Sequence, residues 1–363
     1  MSRYYIGMMS GTSMDGVDVA LCEIDENQCK LVASLSYPLE VSMKEELLLM
    51  INKETTLQKV GAMHQRLGCL FAQAAQALMQ QEKVSADEVI AIGSHGQTLW
   101  HDPQGKEPFS LQLGNANVIA TETGVDVVSD FRGKDVALGG EGAPFAPAFH
   151  HFLFHDLETK VGVINIGGMS NLSILDDEMI GYDTGPGNVL MDLWVSKQKN
   201  FGYDENGVWA KAGKVDQRLL KTLLADPYFE KEPPKSTGRE LFNLEWLGKI
   251  LRSNRAVSTE NVQATLLEFT VQSIAQEVRK YALEQLMVCG GGVKNGFLMQ
   301  RLQEALEGIP VCSTDAYGID AEQMEAMLFA WLAYKRVHRE KVALKMITGA
   351  KRDGVLGSLY AKD

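Results

Sequence analysis

Tyr4-Tyr5-Ile6-Gly7-Met8-Met9-Ser10-Gly11-Thr12-Ser13-Met14-Asp15-Gly16-Val17-Asp18-Val19-Ala20-Leu21 reads as a strand, a tight turn and a second strand. Val161-Gly162-Val163-Ile164-Asn165-Ile166-Gly167-Gly168-Met169-Ser170-Asn171-Leu172-Ser173-Ile174-Leu175 has the same order. The two hairpins open two halves of one chain. Glycine lets the backbone turn tightly and approach a ligand, and successive N–H groups in such a turn can converge on one anion. Two such turns could hold a polyphosphate. Taken singly, each is also explained as an ordinary turn rich in Gly, Ser, Asn and Asp; their pairing favours the anion.

Outward from the first hairpin, a third strand is expected over 31–37 and a short helix over 47–51. Val60, Met63, Leu67, Leu70, Phe71, Ala74 and Leu78 recur at helical spacing and predict a helix over 57–81. A short strand, 89–92, ends at Ser94-His95-Gly96-Gln97-Thr98, the kind of strand end where α/β proteins bind ligands. A helix over 115–123 and a strand over 125–128 follow. Residues 130–151 carry many glycines and no clear period, and read as a loop. Past the second hairpin, a helix starts after Pro186-Gly187, and 200–240 reads as a mixed insertion. A long helix over 258–284, a strand over 285–289, a helix over 295–306, a short strand at 311–312 and a helix over 321–339 complete the chain. Each half places strands first, then alternating helices and strands, which points to an α/β chain of two related lobes.

With 363 residues the chain is long enough for two cores. A net charge of −12 argues against a non-specific nucleic-acid binder, which needs a basic face. No run of about 18 apolar residues predicts a membrane span, and the turn at Ser10 leaves no room for a secretory leader. Cys22, Cys29, Cys69, Cys289 and Cys312 are scattered without a CxxC pair, so buried thiols in a reducing cytoplasm are expected.

Three segments and a few single residues carry the chemistry. In Gly11-Thr12-Ser13-Met14-Asp15-Gly16-Val17-Asp18, hydroxyls could meet phosphate oxygens, and Asp15 and Asp18 could hold Mg2+ through waters. The segment is neither a P-loop nor a GxGxxG dinucleotide turn. Asp183, in Gly181-Tyr182-Asp183-Thr184-Gly185-Pro186-Gly187-Asn188, is equally a fixed general base and a helix-capping aspartate. Cys289-Gly290-Gly291-Gly292-Val293-Lys294-Asn295 could lay its backbone against a flat ligand or simply enter a helix. His95 more naturally orients a turn or substrate than acts as a nucleophile's base. His150, His151 and His155 alternate with phenylalanines, which reads as a packed helix end rather than a zinc site. Arg132 could pair with a substrate carboxylate or form a salt bridge.

Together, residues 7–18, 94–98, 135–144, 165–171, 183–188 and 289–295 resemble the anhydro-N-acetylmuramic acid kinases, from residue 5 to about 357. The resemblance implies a two-lobed, actin-like ATPase (ribonuclease H-like) fold, each lobe a mixed sheet flanked by helices, with the active-site cleft between lobes. The lobes are expected at 1–128 plus about 340–363, and at about 129–339. It implies that ATP, Mg2+, water and 1,6-anhydro-N-acetylmuramate give ADP and N-acetylmuramate 6-phosphate, in cell-wall recycling by a cytoplasmic homodimer. Asp183 would activate the water that attacks C1. Residues 11–18, Asn165, Gly167 and Gly168 would hold phosphates; Gly290, Gly291, Gly292 and Asn295 would lie near adenosine; His95, Arg132 and Glu325 would contact sugar or magnesium. Many members of the wider superfamily place an aspartate directly at the end of the first strand. Here Ser10 stands there and the acids come later, at Asp15 and Asp18. A kinase of another hexose or amino sugar, and a nucleotide-switched binding protein without catalysis, are the competing readings.

Overall fold

The computed structural model describes residues 3–11, 14–175, 179–233, 235–253 and 257–363. The chain begins β1 (Tyr4–Met9), β2 (Gly16–Ile24), β3 (Cys29–Pro38), α1 (Val41–Asn52), α2 (Leu57–Glu82), β4 (Val89–Ser94), β5 (Gln97–Asp102) and β6 (Phe109–Leu113). Then come α3 (Ala116–Thr123), β7 (Val127–Ser129), α4 (Phe131–Ala137), α5 (Ala146–Phe154), β8 (Val161–Ile166), β9 (Met169–Leu175), β10 (Ile180–Pro186) and α6 (Val189–Lys199). The rest is α7 (Val208–Ala212), α8 (Gln217–Leu224), α9 (Leu244–Ser253), α10 (Thr259–Val278), β11 (Gln285–Cys289), α11 (Gly296–Ala305), β12 (Val311–Ser313), α12 (Met324–Val337) and β13 (Ser358–Tyr360).

The residues divide into two units, Met1–Leu153 with Gln323–Asp363, and Phe154–Glu322. In the first, the strands stand in the order β13-β7-β4-β1-β2-β3. β1, β2 and β3 form an antiparallel meander, β4 runs parallel to β1, and β7 parallel to β4. In the second, the order is β10-β9-β8-β11-β12, with β8, β9 and β10 antiparallel, β11 parallel to β8 and β12 parallel to β11. Strand for strand, β3-β2-β1-β4-β7 and β10-β9-β8-β11-β12 share one order and one set of directions. The chain is thus α/β, with the repeated sheet of the actin-like fold.

Central position explains why β1 is buried along its whole length. Tyr4, Ile6 and Met8 join Leu67, Phe71 and Leu78 of α2 in one core. Side chains alternate along a strand, so Tyr5 turns the other way and meets Tyr334 of α12 edge-on at 5.5 Å. Gly7 lies on that second face, where a Cβ would stand 1.8 Å from the Ala326 carbonyl oxygen. Gly93, its partner on β4, would put a Cβ 1.9 Å from the Phe329 carbonyl oxygen. The two glycines floor a groove in which α12 rests its backbone against the sheet.

That seat places α12 in the first unit. The units divide at 153/154 and 322/323, whereas the sequence suggested 128/129 and about 339/340. Residues 130–151, expected as a loop, hold α4 and α5. Asp130 starts α4 with φ at 57°, and its Oδ1 accepts the Gly133 N–H at 3.2 Å. In α5, Phe149 and Phe152 pack on Trp331 with ring centroids 5.5 and 5.6 Å away, and His150 is fully buried. β5 and β6 form a two-stranded hairpin where none was expected. The 200–240 stretch contains α7 and α8, and α10 stops at Val278 rather than near 284.

Candidate active site

The first turn joins β1 to β2. The Met14 N–H donates to the Gly11 carbonyl at 3.2 Å, and Met14 takes a φ of 53°. Thr12 and Ser13 lie outside the described residues. Met14 and Val17 are buried in the core of the first unit, and a Cβ on Gly16 would stand 2.6 Å from the Tyr37 carbonyl oxygen. Packing therefore accounts for these three, which were expected among the phosphate contacts. Asp15 is exposed and pairs with Lys44 Nζ at 2.5 Å. Asp18 is half-buried on β2, opposite Met9.

His95 follows β4 directly. Its backbone N–H donates to the Met8 carbonyl at 3.0 Å. Arg132 Nε donates to His95 Nε2 at 3.0 Å, and Nδ1 lies 2.9 Å from the Gly96 carbonyl oxygen. These contacts require the neutral tautomer with its proton on Nδ1. Burial, and then the Arg132 charge, push the imidazole down to about 3. Both ring nitrogens are engaged, and Nε2 holds Arg132 by its Nε. Arg132 is half-buried on α4; Glu325 is exposed in the first turn of α12.

The glycines after Arg132 have a separate cause. Asp135 is fully buried, and its carboxylate accepts the Gly142 N–H at 2.7 Å and the Thr348 hydroxyl at 2.7 Å. Burial raises its pKa. A Cβ on Gly140 would stand 2.4 Å from Asp135 Oδ2. The loop wraps around one carboxylate.

In the second unit, the Gly167-Gly168 turn joins β8 to β9. Asn165 is buried at the end of β8, paired with Asn171 on β9 and Cys289 on β11. The Gly168 carbonyl accepts the Gly187 N–H at 2.9 Å and the Val189 N–H at 3.1 Å, and the Gly167 carbonyl accepts the Asn188 N–H at 2.8 Å. The N–H groups of Gly187, Asn188 and Val189, at the entry to α6, thus go to the turn. A Cβ on Gly187 would stand 2.4 Å from the Gly167 carbonyl oxygen, so this approach requires glycine.

Asp183 lies on β10, an edge strand, opposite Asn171. Its N–H donates to the Lys235 carbonyl at 3.1 Å, and its carbonyl accepts the Tyr228 hydroxyl at 2.6 Å. Its Oδ2 accepts the Thr237 N–H at 2.9 Å. It is no helix cap: α6 begins at Val189, after Asn188. The carboxylate is half-buried and fixed by its own backbone and by a crossing segment.

The three consecutive glycines divide. A Cβ on Gly290 would lie 2.2 Å from Asn165 Oδ1, and one on Gly292 would lie 2.5 Å from Ile166 Cγ2. Gly291 is exposed, with nothing within 4 Å of an added Cβ. Only Gly291 leaves open backbone for a flat ligand. Asn295 caps α11, its Oδ1 accepting the Leu298 N–H at 3.0 Å.

A family model for anhydro-N-acetylmuramic acid kinase matches residues 3–362. The chain belongs to that family. It is 53% identical to the anhydro-N-acetylmuramic acid kinase of a Sulfurovum species, over 98% of each chain. It is 50% identical to that of Sulfurimonas denitrificans, over 99% of this chain and 100% of the relative. Against the Vibrio cholerae protein of that name the identity is 48%, over 99% and 98%. Component A of the (R)-2-hydroxyglutaryl-CoA dehydratase of Acidaminococcus fermentans aligns at a TM-score of 0.51 and 11% identity, covering 93% of this chain and 100% of that one; the likeness is one of fold.

Membership of the anhydro-N-acetylmuramic acid kinase family makes the chain a phosphotransferase with a small sugar as substrate. Five residues in the kinase motifs, or beside them, bury a polar atom that no described residue satisfies. Ser10 Oγ, Ser94 Oγ, Gln97 Oε1, Asn171 Oδ1 and Thr237 Oγ1 are buried atoms without a hydrogen-bond partner among the described residues. Buried polar atoms are normally paired, so these five are candidate ligand contacts. For Ser10, Ser94, Gln97 and Asn171 the signal was their place inside the motifs; Thr237 lies in the insertion and gave none.

Proposed function

We propose that this chain uses ATP and water to convert 1,6-anhydro-N-acetylmuramate to N-acetylmuramate 6-phosphate and ADP, in the recycling of cell-wall sugars. The observation that carries the reading is the clamped carboxylate of Asp183. A general base must be held in place before it can accept a proton in a transition state. Asp183 takes a proton from water as the water oxygen bonds to C1. The C1–O6 bond breaks with its electron pair on O6. O6 bonds to the γ-phosphorus, and the bond from that phosphorus to the bridging oxygen breaks to release ADP. No base is needed at O6, because it departs carrying its electrons.

The Gly167-Gly168 turn is the place for ATP phosphates, with adenosine near Gly291; Gly11 is a further candidate phosphate contact. For magnesium, Asp15 and Asp18 are the carboxylates at hand; Lys44 pairs with Asp15. Among the described residues no three His, Cys, Asp or Glu side chains gather as a metal cluster. That suits an ion held by one or two carboxylates, waters and substrate phosphates. When bound, magnesium would neutralise charge on the phosphates. Arg132, aimed by His95, suits the carboxylate of the muramic acid. A cytoplasmic homodimer completes the proposal; the buried Cys22, Cys29 and Cys289 fit a reducing compartment.

The test is Asp183→Asn. ATP binding should persist, and sugar-dependent ADP release should fall by about 10²–10⁴-fold, to a residual rate that single-turnover measurement reads. In the active enzyme, oxygen from labelled water should appear at C1 of the product. Full turnover by the variant would overturn the role of Asp183.

A further inference from the structure

Lysine is seldom buried whole, because its ammonium must leave water. The Lys235 side chain is only 1% exposed, and its Nζ lies 2.7 Å from Glu277 Oε1 on α10. Glu277 Oε2 takes the Lys280 ammonium at 2.8 Å and the Tyr182 hydroxyl at 2.9 Å. The rings of Tyr228 and Tyr182 lie 5.2 and 5.6 Å from Lys235 Nζ, within cation–π range. Burial pushes the Glu277 carboxyl up, yet the hydrogen bonds from Lys235 and Lys280 bring it below the usual carboxylate range.

The same residues surround Asp183. Tyr182 precedes it on β10. Tyr228 donates to its carbonyl, the Lys235 carbonyl accepts its N–H, and the Thr237 N–H holds Oδ2. Residues 235–238 belong to no helix or strand, so no ladder holds them in place. Beside their backbone bonds to Asp183, the Lys235 side chain, run down to α10, ties them to the core. A buried ion pair is a poor source of stability, since apolar residues of like volume often do as well. Placement is what this one supplies.

We propose that Lys235, through Glu277, is a positioning residue that sets the aim of the Asp183 carboxylate. The inference rests on the reading of Asp183 as the base. Its test is a double-mutant cycle, read by single-turnover phosphorylation of the anhydro sugar with ATP affinity measured alongside. Lys235→Met should slow turnover by about tenfold to a hundredfold, the effect of misplacing a catalytic group by about 1 Å. ATP affinity should stay unchanged, and Lys235→Arg should recover part of the rate. In an Asp183→Asn background, Lys235→Met should cost nothing further. Wild-type turnover by folded Lys235→Met protein overturns the proposal, as does the same loss repeated on top of Asp183→Asn. If Lys235→Met does not fold, Lys235→Met/Glu277→Leu removes both charges at once and carries the same expectations. A fully active Asp183→Asn enzyme overturns the reading of Asp183 itself, and this proposal with it.

Discussion

Gly93→Ala adds one methyl group between β4 and α12. Its carbon would stand 1.9 Å from the Phe329 carbonyl oxygen, 2.7 Å from the Phe329 carbonyl carbon and 3.2 Å from Ala333 Cβ. The first two atoms are backbone and have no rotamer to change. To restore van der Waals separation, α12 would have to retreat by about 1.5 Å. Overpacking of this kind costs about 1–3 kcal/mol, and rigid neighbours put this site at the upper end. Alanine recovers about 0.5–1 kcal/mol of chain entropy, leaving a loss of about 2 kcal/mol. For a unit of roughly 200 residues that lowers the melting temperature by about 4–8 °C. Phe329 lies 4.6 Å from the His95 ring, and His95 aims Arg132, so turnover should fall as well. Gly61→Ala is the control: it is exposed on α2 with nothing within 4 Å of a new Cβ. It should gain about 0.5–1 kcal/mol. Thermal melts of the two variants decide the matter. A Gly93→Ala protein melting within about 2 °C of wild type, with full turnover, would refute the close seat of α12.

Two further outcomes follow from single side chains. Burial holds His95 and His150 down at about 3, whereas unfolded histidines take up protons below about 6.5. Between these values the unfolded chain binds more protons, so stability is full above about 6.5 and falls as pH drops. Urea midpoints should decline from pH 7 to 5, less steeply in His150→Gln; midpoints flat with pH would contradict this. Asn295→Ala removes the cap of α11 and should cost about 1 kcal/mol. Asn295→Asp should restore the melting temperature, and an unchanged melt for the alanine variant would dismiss the cap.

What could be read from the residues was local. The two hairpins declare themselves by Gly, Ser and Asn between alternating strands, and α2 by its apolar spacing from Val60 to Leu78. The helix α4 hid behind glycines that serve Asp135, and of α5 only the packed end at His150 and His151 was legible. The hairpin of β5 and β6 hid because Trp100, Phe109 and Leu111 remain exposed, which blurs the alternation of a half-buried strand. Partners distant in the chain left almost no trace. Gly7 and Gly93 look like ordinary strand glycines until α12 is laid on them. Asp183 stood out in its motif, but nothing in Lys235 or Glu277, far along the chain from it and from each other, announces a shared task. The motif glycines also mixed two causes: Gly290 and Gly292 answer to close packing, Gly291 to open backbone.

The late return of the chain to the first unit sets the order in which the protein can be finished on the ribosome. Domains made first ordinarily fold first. Here Phe154–Glu322 is continuous and can close as soon as it has emerged. The first-made unit must wait, because α12 and β13 both come after residue 322. Until then the face of β1 and β4 that carries Gly7 and Gly93 has no helix over it, and β7 lacks its outer neighbour. A nascent chain of this kind presents an apolar, open-edged sheet for most of its synthesis, the form of surface that holding chaperones recognise and that stalled or truncated chains would carry into aggregates.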